Sequence, residues 1–417
     1  MKKLHREDVE IMAPVGSYES LMAAVQAGAD SIYFGLSNMN MRSRSSVNFN
    51  EDDLDKILEV CDLHNINSYL TLNITIFQEE IPRAKELINL AKEKGITAVI
   101  ASDHSIIQYA REVGLEVHIS TQVNISNIEA VRFYSKFANV MVLARELNID
   151  QVSEIYRIIE KEDIKGPNGE KVKLEMFVHG ALCMATSGKC YMSLHEMNHS
   201  ANRGACLQIC RRGYTLTDKE TGREIDVDNE YIMSPKDLCT IHFLNKLLDA
   251  GVRVLKIEGR ARPAEYVKTV TECYSAAVES IVNGTYNKKA IENWKLRLAT
   301  VFNRGFWDGY YLGQKLGEWS HIYGSKATKR KIYVGKCTNY FSNIKVGEFT
   351  CEASELEFGE EVIISGTKTG IIKFTPNEIR EDDKPVNKTK KGVRFSLLTP
   401  SLVRRNDKLF KFIEKKD

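Results

Sequence analysis

From residue 9 to residue 260, short apolar runs alternate with stretches of helical period. The runs VEIMAP (9–14), SIYFGL (31–36), SYLTLN (68–73), AVIAS (98–102), EVHIST (116–121), VMVLAR (140–145), KLEMFVHG (173–180) and VRVLKIEGR (252–260) read as strands. Between them, segments such as SYESLMAAVQAGA, EDDLDKILEVCDLHN, EEIPRAKELINLAKEKG and NIEAVRFYSKF repeat apolar residues at helical spacing. Strand then helix, repeated through the chain, predicts parallel strands joined by crossover helices. Eight such strands fit an α/β fold of the closed (β/α)8 TIM-like barrel type. An open doubly wound sheet is the alternative, but its first turn usually carries a glycine fingerprint, and APVGSYES has one glycine.

A barrel predicts chemistry at the C-terminal ends of its strands. Polar residues collect at those ends: Asn73, Asp103, Thr121 with Gln122, Arg145 with Glu146, His179, and Glu258 with Arg260. After the seventh strand an insertion over 180–237 far exceeds an ordinary βα loop, a length that usually marks function. Beyond the eighth strand two helical stretches and a glycine- and aromatic-rich loop, NRGFWDGYYLGQKLG, complete a first domain over 1–325. The basic stretch SKATKRK (325–331) reads as a linker. From 332 to 417 the period changes to short β runs, which predict a small antiparallel β-barrel domain.

Composition narrows the class without naming a function. The 417 residues are 43% hydrophobic and 27% charged, as in a globular protein, and the net charge of +2 announces no nucleic-acid binder. The N-terminus has no apolar signal region and no run approaches a membrane span, so a cytoplasmic protein is expected. Its nine cysteines should then be reduced.

Four of the nine lie close together: Cys183, Cys190, Cys206 and Cys210, spaced C-x6-C-x15-C-x3-C. They are either small buried hydrophobes or ligands. Structural zinc favours tight C-x2-4-C pairs, which only Cys206 and Cys210 approach. An iron–sulfur cluster accepts looser spacing, since each thiolate binds its own iron. Nearby Lys189, Arg203, Arg211 and Arg212 favour the thiolate form. Cys61, Cys239, Cys273, Cys337 and Cys351 are scattered through predicted elements and read as core residues.

Here EMFVHGALCMATSGKCYMS followed by NRGACLQICR resembles the signature of peptidase family U32, the collagenase-like proteins. APVGSYESLMAAVQAGADSIYFG, SPKDL, KIEGRARPAEYV and NRGFWDGYYLG are similar to further blocks of that family, in order, over about residues 9–320. The resemblance implies a barrel and a [4Fe-4S] cluster on Cys183, Cys190, Cys206 and Cys210. Despite the family's name, its better-understood members are hydroxylation proteins acting on tRNA wobble uridine, ribosomal RNA or the ubiquinone ring. The domain plan looks most like the tRNA branch, which is associated with prephenate as hydroxyl source. That implies tRNA and a small anionic co-substrate as partners, with room for a redox or paralogous partner protein.

Within the barrel mouth, Arg145 and Arg260 are candidate carboxylate clamps, with Asn73 and Gln122 as further substrate contacts. Glu258 is a candidate base or a partner that orients the arginines, and His179 a candidate proton relay. Lys388, Lys390, Lys391, Arg404, Arg405, Lys326, Lys329 and Arg330 are candidate RNA phosphate contacts; a non-catalytic RNA-binding protein would use the same residues. A peptidase reading rests on HEMNH, where His195 and His199 on one helix would ligate zinc with Glu196 as base. Low helix propensity in NHSANRG weighs against it.

Overall fold

The computed structural model describes residues 4–36, 39–44, 48–225 and 231–415. Strands β1 (Glu10–Pro14), β2 (Ser31–Phe34), β3 (Asn67–Leu72), β4 (Ala98–Ala101), β5 (Glu116–Ile119), β6 (Val140–Val142) and β7 (Lys173–Ala181) follow one another in parallel. The insertion carries the hairpin β8 (Leu216–Thr217) and β9 (Glu224–Ile225), then β10 (Asp237–Cys239). Strand β11 (Val252–Ile257) pairs with both β7 and β1 and closes the eight-stranded barrel. The short β12 (Phe306–Trp307) lies beside β10, which runs antiparallel to the end of β7.

Helices α1 (Tyr18–Gln26), α2 (Leu54–His64), α3 (Ile81–Lys94), α4 (His104–Glu112), α5 (Ile128–Tyr134) and α6 (Ile149–Glu162) alternate with β1 to β7. The short α7 (Met192–Met197) lies in the insertion; α8 (Leu244–Asp249), α9 (Ala264–Val282) and α10 (Lys288–Ala299) complete the shell. Local chemistry sets the helix starts: Ser17, Asp103, Asn127, Asn148 and Asn287 each accept a first-turn backbone N–H, satisfying donors that the helix cannot. Apolar faces of strands and helices meet in one large core between the layers. A smaller cluster, including Met12, Tyr33, Tyr69, Ile100 and Val254, fills the barrel interior. That interior also buries an ion pair, Lys256 Nζ to Glu175 Oε1 at 2.7 Å.

Past the barrel lies one antiparallel sheet, built from β13 (Lys329–Phe341), β14 (Val346–Cys351), β15 (Val362–Gly366), β16 (Gly370–Phe374), β17 (Arg380–Glu381), β18 (Lys384–Pro385), β19 (Arg394–Leu398) and β20 (Lys408–Glu414). Its order is β16-β15-β20-β13-β14-β19-β17-β18, around its own apolar core. Among the described residues no ladder joins β16 to β18. Strand β13 opens at Lys329, inside the stretch read as linker, because Lys329–Lys331 pair with Phe412–Glu414 of β20. The sheet docks on the barrel: Gln26 bonds to Thr369 and Ile371, and Ile363 and Ile371 join the barrel's core.

Candidate functional site

At the C-terminal end of the barrel, residues from distant loops converge on one carboxylate. Glu258, just past β11, accepts a bond from Arg42 Nη2 at 2.6 Å. Burial alone would raise its carboxyl, but Arg42, Arg145 and Arg260 overcome that and hold it down at about 2. Arg42 itself is pushed up, chiefly by Glu258. Tyr33 closes the group from below, donating to the Ile257 carbonyl at 2.8 Å and lying 3.5 Å from Glu258 Oε2.

Arg260 is only 6% exposed, and its Nη1 donates to Asn40 Oδ1 at 3.0 Å and Thr71 Oγ1 at 2.9 Å. Burial lowers it to about 10, so it stays charged at neutral pH. Gly35 makes this position open: a Cβ there would stand 2.6 Å from Arg260 Nη1 and 2.5 Å from the Asn40 side chain. Arg145 is half-buried, stacks 3.9 Å over the Phe177 ring and donates to the Ala181 carbonyl at 3.0 Å. Its buried Nε has no partner. Asn73 and Gln122 lie 3.3 Å from each other in a polar pocket of ≈ 150 Å³ that Lys189 and Asn202 of the insertion complete, and Asn73 accepts from the Met41 backbone N–H beside Arg42 at 3.2 Å.

A carboxylate held at about 2 carries no proton at neutral pH and is a weak base. Its geometry suits the other role considered for Glu258, that of a counter-ion, bonded to Arg42 and within electrostatic reach of Arg145 and Arg260. Sign follows from the shift: the carboxylate's contribution is complete above its unfolded pKa near 4.5 and is lost as pH falls toward 2. The unfolding free-energy gap between wild type and Glu258→Gln, on the order of 2–3 kcal/mol at pH 7, should therefore shrink steadily from about pH 5 to the acid limit of measurement. A gap independent of pH would refute this assignment.

His179 does not join the mouth. Strands β7 and β11 slip register here: Lys256 faces Phe177, while Ile257 faces His179, so Val178 is an extra residue in β7. Such a bulge reverses the alternation of side chains. The imidazole packs instead against Tyr266 and Tyr274 of α9 and against Phe306, with the Tyr274 hydroxyl 3.4 Å from Nδ1. Burial lowers it to about 3, leaving a neutral core histidine. Gly180 follows at φ 105°, where a Cβ would lie 2.6 Å from the Glu258 carbonyl oxygen.

Over the mouth lies the insertion. Cys183 is exposed and Cys190, Cys206 and Cys210 are half-buried, whereas the other five cysteines are all buried. Free cysteine ordinarily goes inside, so these four are set apart. They lie within electrostatic reach of one another: after burial, Cys183 and Cys206 raise Cys190, while Cys183, Cys206 and Cys190 raise Cys210 against the pull of Arg211. They are not drawn in to the spacing of a single ion; among the described residues no three His, Cys, Asp or Glu side chains stand close enough to hold one. Arg211 pins the loop, donating to the Leu182 carbonyl at 2.6 Å and to the Pro235 carbonyl. Cys206 also acts on Arg42, so the thiols and the arginine mouth are neighbours.

HEMNH is split by its own backbone. Helix α7 ends at Met197, and Asn198 takes a left-handed φ of 55°. His199 therefore falls outside the helix, while the His195 side chain is 83% exposed and the two imidazoles do not share a helical face. Sequence reasoning missed Arg42 and Tyr33, and it read Arg211 as a charge near the thiols rather than as the side chain that pins the loop. Arg42 lies in a polar loop with no motif, and only the length of that β2–α2 connection hinted at a role.

Fold and site together define a (β/α)8-barrel protein with a thiol-bearing insertion above a guanidinium-rich mouth. The chain belongs to peptidase family U32, whose profile matches residues 16–321. It is 59% identical to a protein named collagenase from Porphyromonas gingivalis, over 98% of this chain and 99% of that one. It is also 30% identical to tRNA hydroxylation protein P1 of Bacillus subtilis, over 92% of this chain and 89% of that one. A third relative, the 23S rRNA 5-hydroxycytidine C2501 synthase of Escherichia coli, is 33% identical over 66% of this chain and 40% of its own length.

Proposed function

We propose that this protein supports hydroxylation of uridine in tRNA, giving 5-hydroxyuridine at the wobble position, with a [4Fe-4S] cluster on Cys183, Cys190, Cys206 and Cys210 and a small carboxylate co-substrate such as prephenate. One observation carries the reading: four thiols set apart from the buried cysteines share one loop, and one of them, Cys206, acts on Arg42 in a mouth where three arginines act on one carboxylate. The donor set suits a cluster, because its thiols come from one loop and influence one another electrostatically. When bound, such a cluster supplies one-electron redox chemistry. The rest is for the chain's own side chains. Arg145 Nε, buried and unpartnered, is a donor that gains by meeting a carboxylate oxygen. Glu258 holds Arg42, and Asn73 with Gln122 offers amide contacts in the adjoining polar pocket. A loop base is cheap to unstack and admit.

A peptidase is the second reading, favoured by the name of the collagenase relative. The broken HEMNH helix removes the zincin route to it. Nucleoside analysis of tRNA from cells with and without the gene decides between them, alongside incubation of the anaerobically purified protein with denatured collagen. Loss of 5-hydroxyuridine without collagen cleavage is the expected result. Unchanged nucleosides, in a strain with no paralogue, together with cleaved collagen would transfer the assignment to the peptidase.

A further inference from the structure

Between the barrel and the sheet domain lies a cleft of ≈ 730 Å³ that the mouth chemistry does not use. The barrel contributes Lys268 of α9 and Arg297 of α10 to its walls; the sheet contributes Lys329, Arg330 and Lys331 of β13, and Lys373 of β16. Lys415 completes the set. These seven cations meet four carboxylates, and the carboxylates are shared. Glu361 serves both Lys329 at 2.7 Å and Lys373 at 3.2 Å, while Glu414 stands 3.8 Å from Lys329. Glu272 serves both Arg297 at 2.5 Å and Lys268 at 4.0 Å. Lys331 pairs with Glu265 at 2.8 Å. Lys415 bonds to the Ser325 carbonyl, and Arg330 is exposed with no carboxylate partner among the described residues.

This is not the pattern of a socket for one small anion, which would present buried, convergent and unpaired donors. The cations are spread over both domains, reachable from solvent, and loosely neutralised. Such charges exchange their partners for a run of phosphates with little desolvation cost. Flat apolar surface accompanies them: Phe412 lies in the wall with Lys373 5.2 Å from its ring centroid. Phe302 lies at another part of the wall, stacked by Arg262 at 3.5 Å. Arg304 lies 5.1 Å from the Phe302 ring, buried and paired with Asp237 at 3.3 Å, and its Nη2 reaches Gln208 of the cysteine insertion at 3.4 Å. The cleft wall at Phe302 is thus joined to the insertion through one buried arginine.

We propose that this interdomain cleft seats the backbone of RNA, holding the strand on both domains while a base is presented to the barrel mouth. The inference rests on the RNA reading above and moves the contact surface from the outer lysines of the sheet domain to the domain boundary. The test measures binding of an unmodified tRNA anticodon stem-loop to the full-length protein by fluorescence anisotropy across a salt series. Arg330→Glu with Lys415→Glu removes two cations that hold no carboxylate, so the fold should be kept, as circular dichroism and the melting temperature can verify. Affinity should fall at least about tenfold, with the slope of log Kd against log salt reduced by about 2. The charge-matched control Lys136→Glu with Lys161→Glu, exposed on the barrel's flank, should change affinity by less than about twofold. Wild-type affinity in the cleft variant, or an equal loss in the control, would overturn the proposal, as would a wild-type protein that binds no RNA. Nucleoside analysis separates the two levels: 5-hydroxyuridine made normally by the cleft variant sinks the cleft alone, and none made by wild type sinks the functional reading.

Discussion

Glu175→Ala is expected to destabilise the barrel by about 3–5 kcal/mol. Its carboxylate is fully buried and bonds Lys256 Nζ at 2.7 Å, with the ammonium itself buried to 6% side-chain exposure. Tyr33 and Phe177 supply ring faces at 4.7 and 5.6 Å, which soften the ammonium's desolvation but do not replace a counter-charge. Removing Glu175 strands a cation among apolar side chains, and the cost is that of an uncompensated buried charge rather than of one bond. For a fold whose net stability is on the order of 5–15 kcal/mol, this is a large fraction. The double change Glu175→Leu with Lys256→Met should recover most of the loss, since hydrophobic replacements of similar volume often match a buried pair. Urea or thermal unfolding of the three proteins measures it; a single mutant within about 1 kcal/mol of wild type would refute the assignment of this pair as an essential buried counter-charge.

The second large effect concerns the insertion. On the proposed reading, replacing any one of Cys183, Cys190, Cys206 or Cys210 by Ala should remove most of the iron, the acid-labile sulfide and the broad brown absorbance of anaerobically purified protein. Hydroxylation should be lost with them. Cys351→Ala is the control, because that thiol is buried in the sheet-domain core, where it bonds the Ser354 carbonyl and the Thr389 hydroxyl and takes no part in the insertion. The outcome separates ligands from core residues among chemically identical side chains. Stoichiometric zinc without sulfide in the wild type would replace the cluster with a structural site.

Much of the architecture was legible from periodicity. Eight apolar runs were separated by stretches of helical period, and all eight became barrel strands. The four cysteines were legible as a group for a local reason: they lie on one loop, so proximity in sequence implied proximity in space. The change of period near the sheet domain was visible as well, but the onset of β13 at Lys329 was not. A basic tripeptide reads as linker until the partner strand β20 is known to lie beside it.

What the sequence determined, then, was everything set by near neighbours: strand and helix identity, the oversized insertion and its thiols. Tertiary structure alone decided which polar residues meet. Arg42, Arg145 and Arg260 come from three separate loops, and barrel closure through β11 brings them to Glu258. A single extra residue, Val178, turned His179 from the mouth to the helix layer, because side-chain alternation cannot survive a bulge. HEMNH failed as a ligand pair through one left-handed residue, Asn198. In each case the deciding quantity is the direction of a side chain, which depends on register and backbone conformation that pattern alone does not fix.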